Sequence, residues 1–189
     1  MKKLLSIGIV ILMIFCFSGC EERFDPAPQI TEGEFPFVVE YEINGERHLI
    51  EDMVVCRFDG YNSATNNFAI FGYPSSRKWS TSLKSGNEDA FGIHILELEK
   101  NTESIYKKGR INYESFIFVD YGTAEYYMGD TEAIFYDEPR MRYFEKYYNE
   151  DIKMPDSSFK TLTNEELEKN FGIKIIRFEF SEPIENKFE

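Results

Sequence analysis

The chain has 189 residues, 34 acidic against 21 basic side chains and a net charge of −13, with 42% hydrophobic and 16% aromatic residues. Such an acidic balance disfavours nucleic acid, whose binding rests on neutralising phosphates, and it repels anionic headgroups. The apolar and aromatic content is ample for one packed domain of ordinary size.

The first nineteen residues divide into zones. Lys2 and Lys3 form a short positive region, "LLSIGIVILMIFCF" (Leu4 to Phe17) is an apolar run broken only by Ser6 and Gly8, and Ser18 and Gly19 are small. That is the layout of a secretory signal, and the run is short of the roughly 20 apolar residues that span a bilayer. "FSGC" then resembles the lipobox of bacterial lipoproteins, although Phe17 stands where an aliphatic residue is commoner. The resemblance covers residues 1–20 only. It implies that Cys20 is the lipidation site and first mature residue, that acyl chains of the palmitate kind hold the protein to a membrane, and that the domain lies outside the cytoplasm in the cell envelope. Two chains suffice for stable anchoring, each buried methylene contributing about 0.8 kcal/mol. From Cys20 onward 19 basic residues face 34 acidic ones, a net charge of −15.

Residues 20–36, with three prolines and several acids after Cys20, carry no hydrophobic period and are expected to form a flexible tether, with a single β-rich globular domain over 37–189. "FVVEYEINGERHLI" alternates at Phe37, Val39, Tyr41 and Ile43, and Asn44-Gly45 suits a type I′ turn. A two-residue loop pairs Tyr41 with His48 on the inner face and Glu42 with Arg47 outside, the latter as an expected ion pair. "MVVCRF" (Met53 to Phe58) continues the second strand past an expected bulge at Glu51-Asp52. Further strands are expected at "NFAIFGY" (67–73), "FGIHILEL" (91–98), "YESFIFVDY" (113–121), "TEAIFY" (131–136) and "GIKIIRFEF" (172–180). The stretch "YPSSRKWSTSLKSGNED" (73–89) reads as loop.

Two helices are expected near the C-terminus. One runs over 138–150, capped by Asp137, with Met141, Phe144 and Tyr148 on one face. The other follows the capping box of Thr163 and Glu166 and ends at Gly172. Together these give an α+β fold, mainly antiparallel β with two short C-terminal helices; a β-sandwich with a helical insertion is the alternative.

Catalytic patterns are sparse. Ser75-x-x-Lys78 with Lys84-Ser85-Gly86 resembles fragments of the penicillin-binding and serine β-lactamase signature, but the two lie five residues apart where that family separates them widely. A polar loop is the better reading. His48 and His94 are the only histidines, no Cys-x-x-Cys or His-Glu-x-x-His occurs, and "DGYNSATNN" has Ile70 where an EF-hand needs glutamate, so no metal site and no cofactor is expected. Cys56 reads as a buried, inert thiol. With 34 acids a carboxylate pair always exists, so it discriminates nothing.

The aromatics remain. Nine of twelve tyrosines lie between Tyr106 and Tyr148, and Trp79 is the only tryptophan. Rigid rings with a polar edge favour recognition, so Trp79, Tyr126 and Tyr127 are the candidate ligand-binding residues, with a glycan or envelope protein as partner. The alternative is that Trp79 caps the core. The balance leans away from catalysis and towards a binding or interaction domain. An envelope hydrolase and a purely structural or assembly lipoprotein are the competing readings.

Overall fold

A computed structural model describes residues 25–62, 76–87, 91–133, 135–149 and 153–189. These form nine strands and two short helices. Strands β1 (Glu32–Ile43), β2 (Glu46–Tyr61), β3 (Arg77–Leu83) and β9 (Ile173–Phe180) build one antiparallel sheet in the order β3-β2-β1-β9. Strands β4 (Ile93–Glu97), β6 (Ile111–Asp120), β7 (Arg140–Asn149) and β8 (Met154–Thr161) build a second, in that order, with the two-residue β5 (Thr102–Glu103) beside β6. The protein is thus mainly antiparallel β, with helices α1 (Ala124–Tyr127) and α2 (Asn164–Phe171).

The hairpin of β1 and β2 forms in the expected register, with Asn44 and Gly45 at positive φ as a type I′ turn requires. Tyr41 lies opposite His48, their rings stacked at 5.0 Å. Register is continuous from Ile43↔Glu46 to Glu32↔Arg57, so the bulge expected at Glu51-Asp52 is absent. Arg47 reaches back to Glu40 at 3.4 Å rather than across to Glu42, on a surface where such a pair contributes little. The sheet begins at Glu32, five residues before the expected start, because Phe35 already points into the core.

Both sheets supply one shared core. Val39, Val54 and Cys56 from the first meet Ile117 and Val119 from the second, with Tyr127, Met128 and Leu167 closing the ends. Burying side chains of this size stabilises by about 1.5–3 kcal/mol each. A smaller cluster of Phe116, Phe118 and Phe144 lies on the other face of the second sheet, packed by Phe91 and Phe159.

Three expectations need correction. Residues 140–149 are β7, not a helix. Met141, Tyr143 and Tyr147 face the core while Phe144 packs in the opposite cluster, so the strand is apolar on both faces and its period of two is disguised. Residues 131–133 are turn, and residues 135 and 136 belong to no strand; Phe135 is 73% exposed. The stretch read as loop contains β3, with Trp79 and Leu83 facing inward. Helix α2 forms as expected, with its capping box and with Gly172 at φ 66°. The strand expected at 67–73 lies outside the described residues.

The segment before β1 is stitched to the C-terminal residues. The Ala27 amide donates to the Glu189 carbonyl and the Glu189 amide to Ala27, both at 2.9 Å, and the Gln29 amide donates to Lys187.

Candidate functional site

Strand β3 and the segment after α1 meet at one end of the two sheets. Alternation along "RKWSTSL" sends Arg77, Trp79 and Leu83 inward. Trp79 sits opposite Phe58, ring to edge at 5.2 Å. Thr81, on the same face, accepts the Ala124 amide at 2.8 Å and so fixes the start of α1. The chain then turns through Gly129, at φ 68°, where a β-carbon would lie 2.3 Å from the Ile184 carbonyl oxygen. Only glycine fits there.

That turn delivers Asp130 to the inner end of β3. Its carboxylate accepts from Arg77 Nε at 2.7 Å and Arg77 Nη2 at 2.6 Å, a bidentate pair, and from Trp79 Nε1 at 2.9 Å. The two charged side chains are only 5% and 1% exposed. Arg77 further donates to the Pro26 carbonyl and lies over the Phe188 ring at 4.3 Å. One guanidinium therefore ties together β3, the turn after α1, the segment before β1 and the C-terminal residues.

Above this pair opens a cleft of about 520 Å³. Trp79, Glu125 and Asp130 line its inner part, with Lys78, Glu132 and Phe135 among the exposed lining residues. Burial pushes the Glu125 carboxyl above its ordinary range, and the charge of Asp130 adds to that. A volume of this size is in the ordinary range for a small-molecule site.

The surroundings of Trp79 and the segment Tyr121–Asp130, which holds the candidates Tyr126 and Tyr127, are therefore neighbours. Trp79 lines the cleft; neither tyrosine does. Tyr127 is buried against Phe35, its hydroxyl donating to the Tyr121 carbonyl at 2.6 Å. Tyr126 is half-buried between the rings of Tyr127 and Tyr136. Trp79 is itself 8% exposed, so it offers the cleft an edge rather than a free stacking face. Sequence reading missed Arg77, Glu125 and Asp130. Arg77 and Asp130 lie 53 positions apart, and no local pattern announces such a pairing.

Cys20 lies outside the described residues. Among the described residues, no group of three or more histidine, cysteine or acidic side chains could hold a metal ion, and no helix is long and apolar enough to cross a membrane. His48 stacks on Tyr41 in the hairpin, and His94 in the second sheet lies 3.9 Å, centroid to centroid, from Phe116 on the neighbouring strand. No protein-family model matches the chain, and comparison with curated proteins and with solved structures finds no significant match.

Proposed function

We propose that the chain is a bacterial lipoprotein, fastened to a membrane through acyl chains on Cys20, whose acidic β-rich domain works outside the cytoplasm as a binding or interaction module and not as a catalyst. We class that domain as α+β, since α2 contributes Leu167 to the core. The leader reading is supported by the charged start, the apolar run and the small pair before Cys20. The binding reading is carried by the cleft of about 520 Å³ over Trp79 and the Arg77–Asp130 pair.

The tether is short. Pro26 already accepts from Arg77 and Ala27 is paired, so six steps of chain join Cys20 to the folded domain. At about 3.3–3.6 Å per residue they span at most about 20 Å. The cleft, which counts Asp25 among its lining residues, then faces the membrane side of the domain. That placement suits a partner within the envelope itself, a glycan or an envelope protein.

Hydrolysis by paired carboxylates needs two acids able to move protons, and the cleft holds Asp25, Asp130 and Glu132 beside Glu125. Asp130, the buried candidate, has both oxygens engaged by Arg77 and Trp79. Arg77 and Trp79 hold the Asp130 carboxylate in place.

Two measurements test the proposal. Intact-mass analysis of the native N-terminus should show an acylated Cys20, and Cys20→Ser should move the protein from the detergent phase to the aqueous phase. An unmodified thiol refutes the anchor. Crosslinking in intact envelopes should capture one stoichiometric partner or glycan, and Phe135→Ala with Lys78→Ala, both exposed at the rim, should abolish capture without changing the unfolding temperature. Unchanged capture refutes the cleft as the site.

A further inference from the structure

The far end of the second sheet carries a different surface. β6 runs ten residues from Ile111 to Asp120, about 30 Å of strand. Its Asp120 end leads into α1 and the cleft, whereas its Ile111 end follows the turn "KKGR" (Lys107 to Arg110). The turn is held rigidly. The Ser104 hydroxyl oxygen accepts the amides of Tyr106 at 3.2 Å and Lys107 at 3.1 Å, and the Ser104 amide donates to the Arg110 carbonyl at 2.8 Å. The Gly109 amide, at φ 82°, donates to the Glu103 carboxylate at 2.6 Å.

Arg110 is spent inward. It donates to Glu145 and Ser158 and lies 3.4 Å over the Tyr147 ring. Glu145 also accepts from Ser104 at 2.6 Å, Ser158 at 2.9 Å and Tyr143 at 3.1 Å, so that carboxylate has no capacity left for other cations. Lys107 and Lys108 are exposed and make no ion pair with any described residue. Between the turn and the end of β7 lies a depression of about 270 Å³, lined by Lys107, Lys108, Arg110, Tyr147, Tyr148 and Asn149. Among the described residues it has no acidic lining side chain, in a chain with 34 acids.

We infer that this turn is a binding site for a small anion the size of one sugar ring, carrying a carboxylate or phosphate. Lys107 and Lys108 take the charged group, as ammonium groups do when unpaired near a surface. Tyr148, 48% exposed, offers the ring face on which a sugar stacks. The volume falls just under the usual range for drug-sized ligands, which sets the limit at about one ring. A long polyanion is disfavoured, because a net charge of −13 repels it over any distance greater than the turn itself. A lipid headgroup is disfavoured by position, since the chain enters the domain at the opposite end of β6. The site is separate from the cleft and stands whether or not Cys20 is acylated; only the exclusion of a headgroup rests on the proposed anchor.

The test uses the full chain in detergent, with the amide resonance of Gly109 followed by NMR during titration with glucuronate, glucose 6-phosphate, glucose and inorganic phosphate. Saturable shifts are expected with the two acidic sugars, with affinity falling as salt rises, and none with glucose. Inorganic phosphate is expected to bind at least fivefold more weakly than glucose 6-phosphate. Lys107→Ala/Lys108→Ala should weaken binding at least tenfold and Tyr148→Ala about threefold, both with unchanged unfolding temperature, while Phe135→Ala in the cleft has no effect. A uronate oligomer is expected to bind no tighter than glucuronate; an oligomer that binds tenfold tighter overturns the one-ring limit. Equal binding of glucose and glucose 6-phosphate, or full binding by the double lysine variant, overturns it.

Discussion

Asp130→Asn removes one charge and almost no volume from the point where four segments converge. Arg77 keeps its guanidinium, 5% exposed, with no carboxylate bonded to it. An amide in place of the carboxylate also turns an NH₂ towards an Arg77 donor in either orientation, and at the Oδ2 position towards Trp79 as well, so at least one hydrogen bond is lost with the charge. Breaking a buried pair from one side costs about 3–5 kcal/mol. In a domain of this length each kcal/mol shifts the midpoint by about 2–4 °C, so the variant should melt about 6–20 °C lower. Urea unfolding followed by the fluorescence of Trp79 is the direct assay, because the only tryptophan of the chain donates to Asp130 itself. The paired replacement Arg77→Met with Asp130→Leu leaves no buried charge. It should cost less than Asp130→Asn alone, mainly the about 1–3 kcal/mol of an unpaired indole N–H. A loss under about 1 kcal/mol for Asp130→Asn, or a double variant as costly as both singles added, would refute the reasoning.

Other consequences are equally direct. Burial pushes the Glu145 carboxyl up, but hydrogen bonds from Ser104, Arg110, Ser158 and Tyr143 outweigh it and hold the group below the ordinary range. Its contribution is therefore complete above the unfolded value of about 4.3 and is lost as pH falls through the lower folded value; Glu145→Gln should flatten that acid limb in pH-dependent unfolding, and an unchanged limb counts against the network. Cys56, fully buried, has its thiol pushed up to about 12 by burial and by the charge of Glu125. Alkylation mapped by mass spectrometry should find it unmodified in the native chain and fully modified in denaturant, whereas prompt native labelling contradicts its burial. Gly129→Ala puts a methyl 2.3 Å from the Ile184 oxygen at positive φ; a loss of about 1–3 kcal/mol is expected, with faster hydrogen exchange at the Ile184 amide, which donates to Tyr127. Wild-type exchange there in the variant argues against the close approach.

What could be read from the sequence was what local chemistry dictates. Asn44-Gly45 with flanking alternation gives the hairpin and its register, because turn type and face burial agree. Thr163, Glu166 and Gly172 mark α2 by capping chemistry that acts within one turn of helix. β7 was misread because both its faces are buried and one of its inward positions, Glu145, is charged; spacings of three and four at Met141, Phe144 and Tyr148 then mimic a helix face. β3 looked like loop because lysine and serine fill its outward positions, although Trp79, Thr81 and Leu83 keep the period of two. The cleft was half legible. A lone tryptophan and a tyrosine-rich turn segment pointed to two regions that the fold brings together there. The carboxylate that joins them depends on a contact across 51 residues, which only the packed fold creates.

The ladder that joins Ala27 and Gln29 to Lys187 and Glu189 gives the domain a mechanical character. Tension arriving along the chain at residue 26 does not peel β1 from its sheet one bond at a time. It is shared first with the last three residues and, through Arg77, with β3 and Asp130. A fusion or tag added after Glu189 would start beside the point where that load enters, and removal of residues 187–189 would convert a braced attachment into a loose one.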